Sequence, residues 1–300
     1  MIGRLFTFGC SFTSYLWPTW ADLLGLEFGS ANNWGHPGLG NRAIAERVAE
    51  AHTHFNFTPD DVVIVQWTSH LRHDWMHTQM PRHDGSAWQT KGSIYSEENQ
   101  KLFGKKWMET FWDEKAYFIH NLNHIALTQG LLNSTGCTWY MTSMSDLTKI
   151  STEVSPKTVN GELPTLDVVL QDVWEIAPDL RPYKSIWDKY PRQWIPPMLD
   201  ICNATEEEYW WFQYDPKNAK EDKDKVHDGR WMEPHPSANQ HALWVLQFKK
   251  MIGEEAELTK KQQDMVDWFN DIKSKTKTYR EFEHEAHKTM WYVTNRYRGI

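Results

Sequence analysis

A chain of 300 residues with 40% hydrophobic and 24% charged side chains fits a globular protein of one large domain with insertions, or of two domains. Its net charge of -8 argues against a nucleic-acid or anionic-membrane binder, since both partners demand a basic face. No run approaches the ~18 apolar residues of a membrane span, and the three scattered cysteines (Cys10, Cys137, Cys202) make neither a disulfide framework nor a Cys-rich zinc site.

The first element is RLFTF, residues 4–8, a short apolar strand. The few residues around it lack the long apolar core and cleavage site of a secretory leader. A reducing, cytoplasmic setting is therefore expected, or a place on a virion for a phage protein. WPTWADLLG reads as a helix, with Pro18 at its first position and Gly25 at its stop. LEF, residues 26–28, is the expected second strand, followed by the Gly- and Asn-rich loop GSANNWGHPGLGN. Asn41 is placed to cap the helix RAIAERVAEAH, whose Ile44 and Val48 share a face.

DVVIVQW, residues 61–67, is the clearest strand: β-branched and nearly continuous, as in a parallel sheet buried on both faces. Residues 109–133 read as helix and 136–143 as a further strand. This alternation predicts a three-layer α/β/α sandwich around a doubly wound, flavodoxin-like parallel sheet. From about 145 to 230 the regularity gives way to prolines interleaved with Trp and Tyr, an insertion expected over the sheet edge, with 215–230 as a mobile charged loop. Ser237 and Gln240 then form a capping box opening a helix. Past 253 the chain is highly charged, with Leu258, Met265, Phe269 and Ile272 on one helical face. The expected division is an α/β domain over 1–252 and a helical C-terminal extension over 253–300. Of the 18 tryptophans, most are expected in cores, while Trp88, Trp107, Trp112, Trp187, Trp194, Trp210, Trp211 and Trp231 sit among polar residues where some could stack on a sugar.

Ligands of open α/β sheets bind outside the carboxyl ends of the strands. Polar, small-residue loops follow each expected strand: Ser11 after the first, Gly38 to Asn41 after the second, Thr68 to His70 after the third, with His235 before a late helix. Those positions hold a serine, a glycine loop able to donate backbone N–H groups, and a histidine.

The motifs Gly9-Cys10-Ser11-Phe12-Thr13, Gly38 within NWGHPGLGN, and Glu233-Pro234-His235-Pro236-Ser237 resemble the blocks of the SGNH (GDSL-like) hydrolase superfamily. The resemblance covers roughly residues 1–75 and 228–252. It implies that Ser11 is the nucleophile, His235 its base and Glu233 the orienting acid, with Asp228 a weaker alternative. It also implies an oxyanion hole from the backbone N–H groups of Ser11 and Gly38. Cys10 replaces the family's block-one acid and is expected to point away from Ser11. In the third block, Trp67 stands where a glycine belongs, and Ser69 takes the place of the oxyanion-hole asparagine. Asn41, Trp67 and His70 are the candidate substrate-binding residues.

The implied activity is hydrolysis of a small acyl ester, carbohydrate O-deacetylation among the options, with no cofactor. The partners expected are a small-molecule or carbohydrate ester, with no nucleic acid and no membrane. A decayed binding module on the same fold, or an acyltransferase, is the alternative. A rival reading takes His70, His73 and His77, with Asp74 and His83, as metal ligands if the segment is helical. Arg72 and Arg82 beside them would repel a cation, and no metal is expected.

Overall fold

The computed structural model describes residues 3–79, 86–151, 170–203, 207–218, 220–221, 223–288 and 295–296. Arg82 and His83, named above, and part of the expected insertion lie outside them. The central sheet contains β1 (Arg4–Phe8), β2 (Ser30–Asn33), β3 (Val62–Trp67), β6 (Thr138–Ser143) and β12 (Asn295–Arg296), all parallel, in the order β12-β2-β1-β3-β6. Between β3 and β6 come a hairpin of β4 (Arg72–Met76) and β5 (Trp88–Ser93), then helices α3 (Glu97–Phe111) and α4 (Glu114–Thr135).

Helices cover both faces, giving the expected three layers. The reason is visible in β3. Val62 and Ile64 join one apolar cluster, while Val63, Val65 and Trp67 join the other. Successive side chains alternate across a strand, so a continuous apolar run supplies two cores at once. The first cluster is completed by α1 (Trp20–Gly25) and, from late in the chain, α8 (Ala238–Ile252), α9 (Lys260–Lys275) and α10 (Tyr279–Lys288). The second is completed by α2 (Asn41–Phe55) and α4.

Several local expectations are corrected. Residues 26–28 are turn, and the second strand is Ser30–Asn33, inside what read as loop. Sheet pairing with β1 overrides the weak strand propensity of Ser and Asn there. Pro18 precedes the cap of α1, which is Thr19, with Asp22 accepting from the Thr19 backbone N–H at 3.0 Å. Gly40, not Asn41, is the N-cap of α2. The helix expected from 109 is two helices, because Asp113 caps α4 by accepting the Ala116 N–H at 2.7 Å. Within 215–230, Val226–His227 (β10) and Arg230–Met232 (β11) pair as a hairpin, and β11 continues onto β9 (Trp211–Gln213). Most of the tryptophans indeed enter the cores: Trp88, Trp210 and Trp231 are buried, and Trp107, Trp112, Trp187, Trp194 and Trp211 half-buried.

Candidate active site

The turn after β1 is held from three sides. The backbone N–H groups of Thr13 and Ser14 both donate to the Cys10 carbonyl, at 3.0 and 3.1 Å. The Thr13 carbonyl accepts from Asn33 Nδ2 at 2.8 Å and from the Thr19 hydroxyl at 2.6 Å. The Thr13 hydroxyl donates to Gln66 Oε1 at 2.9 Å. Gly9 is required because a Cβ there would overlap Thr13 Oγ1 and crowd Gln66 Cβ at 3.1 Å. The turn sends Cys10 into the first core cluster and leaves Ser11 at the rim of the site. Cys10 is thus wholly buried in that cluster, while the Ser11 hydroxyl faces His235.

The Ser11 Oγ lies 2.9 Å from His235 Nε2, and His235 Nδ1 lies 2.5 Å from Glu233 Oε1. The same Glu233 oxygen accepts the His235 backbone N–H at 3.1 Å. A carboxylate only accepts, so Nδ1 carries the ring hydrogen and Nε2 is left to accept from the serine hydroxyl. Glu233 is 1% exposed, its N–H donating to the Trp210 carbonyl at 2.9 Å just past the β9–β11 pairing. Asp228 sits elsewhere: it occupies the exposed hairpin turn with φ 49° and has His227 at 3.6 Å. It does not meet His235.

Aromatic side chains fix the imidazole. Tyr15 stacks on it with ring centres 3.9 Å apart, and Phe12 meets it edge-on at 5.6 Å. Trp17 Nε1 donates to the Pro236 carbonyl at 2.9 Å, tying the histidine loop to the serine loop. Burial, then the nearby Glu233 charge, drive the Tyr15 phenol well above its ordinary range, so it stays neutral. Behind the site, His241 Nδ1 accepts the Trp20 N–H at 3.2 Å. Burial first, and the neighbouring His235 second, push His241 down to about 3, so it too is neutral.

The loops that could hold an oxyanion converge on the same end of the sheet. The His36 N–H donates to the Gly9 carbonyl at 3.0 Å, which draws the loop after β2 beside the serine turn. Gly38 has φ +86°, a left-handed conformation that suits glycine, and its carbonyl accepts from the Thr90 hydroxyl. Among the described residues neither the Ser11 nor the Gly38 backbone N–H donates to another backbone group. Ser69 Oγ accepts the Leu71 N–H at 3.1 Å, which leaves its own hydrogen available to donate.

The three candidate substrate contacts occupy different surroundings. Asn41 is 1% exposed and spent on the β3 end: its Oδ1 accepts the Thr68 N–H at 2.7 Å and its Nδ2 donates to the Thr68 carbonyl at 2.8 Å. Trp67 is fully buried in the second cluster, out of reach of any ligand, because its odd place along β3 turns it to that face. His70 lies 3.4 Å from Glu114 and edge-on to Phe118. His73 lies in strand β4 and His77 just past its end, so the spacing that would gather three histidines on a helix face does not apply. No cluster of three or more potential metal ligands occurs among the described residues.

Sequence reasoning missed Tyr15, Trp17 and Asn33, and considered Asp74 only as a metal ligand. Asp74 instead stands in for the missing cap of α2, accepting the Gly40 N–H at 2.9 Å and the Ala43 N–H at 3.2 Å. Nothing in the spacing of Asp74 from Gly40 signals this; only the β4–β5 hairpin folding back over α2 brings them together.

No family model matches the chain, and no curated protein matches it significantly. Among solved structures, the chain is similar to a GDSL-like lipase from Bacteroides thetaiotaomicron, with 11% identity, a TM-score of 0.39, and 83% of this chain set against 87% of that one. It is likewise similar to a member of the lipolytic protein G-D-S-L family from Veillonella parvula, with 11% identity, a TM-score of 0.39, and coverage of 82% and 96%.

Proposed function

We propose that this protein is a serine ester hydrolase of the SGNH type, acting on a small acyl ester such as an O-acetyl group on a carbohydrate. The observation that carries the reading is the unbroken line of contacts from Ser11 Oγ through the His235 ring to buried Glu233, at 2.9 and 2.5 Å. In this reading Ser11 Oγ attacks the ester carbonyl as His235 Nε2 takes its proton. Glu233 keeps Nδ1 protonated and stabilises the imidazolium that forms. The oxyanion is met by the Ser11 and Gly38 N–H groups, with the Ser69 hydroxyl in the place of the usual asparagine. Collapse expels the alcohol, which receives the proton from His235. Water, activated by the same imidazole, then releases the acid from the acyl-Ser11 ester.

A decayed binding module would call for Ser11 and His235 out of reach of each other and Trp67 in the cleft. A 2.9 Å contact and a core-buried Trp67 speak for the catalytic reading instead. The test is hydrolysis of p-nitrophenyl acetate by wild type, Ser11→Ala and Cys10→Ala. Ser11→Ala is expected to lose on the order of 10³-fold or more in kcat, with Cys10→Ala near wild type. Full activity in Ser11→Ala would remove the serine from the chemistry, and loss confined to Cys10→Ala would hand it to the cysteine.

A further inference from the structure

Apart from the Ser11–His235–Glu233 line, a cavity of about 200 Å³ opens between the first turn of α2, strand β4 and α4. Its wall carries two guanidinium groups, Arg42 and Arg72, and three imidazoles, His73, His120 and His124. The carboxylate in that wall is Asp74, and its oxygens are committed to the Gly40 and Ala43 N–H groups at the start of α2. Arg42 pairs with Glu46 at 2.9 Å, in an exposed i,i+4 pair. Such exposed pairs hold a side chain only weakly. Arg72 donates to the Leu39 carbonyl at 2.9 Å, and its charge also acts on Asp74.

A concave site whose two guanidinium groups outnumber its one carboxylate focuses positive potential, even on a chain whose net charge is -8. Guanidinium groups recognise planar or tetrahedral oxyanions through paired N–H donors. We propose that this cavity binds a small oxyanion, the phosphate or carboxylate group of a small molecule. The volume exceeds what one such group fills, at roughly 30 Å³ for each water-sized portion, so a small organic substituent is accommodated as well. The histidines fit the role. Burial, and after it the nearby Arg42, hold His73 below its ordinary range; burial is also the first cause for His124. A bound anion would relieve that penalty. His73 Nδ1 pairs with the Tyr117 hydroxyl at 2.8 Å, which fixes the ring against the cavity wall. Arg72 on Leu39 and Asp74 on Gly40 also link this wall to the loop that carries Gly38.

The site stands independently of the esterase reading, and calorimetric titration of the full chain separates the two. Inorganic phosphate and acetate are titrated in separate arms into wild type, Arg42→Ala, His120→Ala and Ser11→Ala. The expected result is saturable binding of one anion per chain, weakened about tenfold or more by Arg42→Ala or His120→Ala and unchanged by Ser11→Ala. Tighter binding of phosphate assigns a phosphate site, and tighter binding of acetate a carboxylate site. The proposal is overturned if neither anion saturates, if neither cavity variant weakens binding tenfold, or if Ser11→Ala removes it.

Discussion

One oxygen atom of Glu233 accepts both the ring Nδ1–H and the backbone N–H of His235, so it sets the tautomer and the position of the imidazole together. Replacing it with Gln keeps the shape but removes the charge that stabilises an imidazolium, and it lets the ring turn its hydrogen toward Ser11. Glu233→Gln is expected to lower kcat for p-nitrophenyl acetate by roughly 10²–10⁴-fold with little change in KM. Asp228→Asn, on its exposed hairpin, is expected to leave kcat unchanged. Equal effects from the two variants would remove Glu233 from the acid's role. At this scale the sequence was informative where the contact is local: Glu233 and His235 are two residues apart, and Ser11 sits in a five-residue motif. It was silent on Tyr15, whose stacking on His235 joins positions 220 residues apart through the fold.

The glycine loop owes its shape to a hairpin that the sequence did not foretell. Residues 70–77 carry histidines at helical spacing, yet Arg72–Met76 is a strand paired with Trp88–Ser93. Trp75 opposite Gln89 and Met76 opposite Trp88 supply the cross-strand pairs that favour the ladder. From that strand Asp74 reaches the open N-terminus of α2, where the cap residue Gly40 has no side chain of its own. A Cβ on Gly40 would come within 2.9 Å of Arg72 Cβ, so the cap position cannot carry its own acceptor while the hairpin lies there. Asp74→Ala leaves the Gly40 and Ala43 N–H groups without their acceptor in a buried place. A loss of about 1–3 kcal/mol in unfolding free energy is expected, with a fall in kcat as the Gly38 loop loosens. Urea unfolding with activity measured in parallel checks both; an unchanged midpoint would show that α2 is capped by other means. The long apolar strand β3 was legible because burial on both faces needs no knowledge of partners. Strand β2, SANN, was not, because its pairing with β1 and β12, rather than its own residues, makes it a strand.

Across the whole molecule the first core cluster joins the two ends of the chain: Leu5 and Trp17 share it with Phe269, Tyr279 and Phe282. The Tyr279 hydroxyl lies 3.3 Å from that of Tyr15, so the C-terminal helices reach the ring that stacks on His235. On α8, beside the apolar residues that join this cluster, His241 is wholly buried and held neutral, with its pKa lowered from 6.5 to about 3. The unfolded chain takes up this proton as pH falls below about 6.5, and the folded chain does not until about 3. More protons on the unfolded side mean that stability falls with falling pH across that window, by at most ~1.4 kcal/mol per pH unit from this one group. His70, His73 and His124 shift in the same direction, and Asp74 and Asp200, raised by burial, in the opposite one, but all are common to wild type and to a His241 variant. The difference between His241→Gln and wild type therefore isolates one group. Between pH 6.5 and 4.5, wild type is expected to lose about 2–3 kcal/mol more than His241→Gln in urea unfolding, whatever the variant's stability at neutral pH. Parallel stability curves would mean that His241 is protonated in the folded protein, and the packing of α8 against α1 would then have to hold a charge.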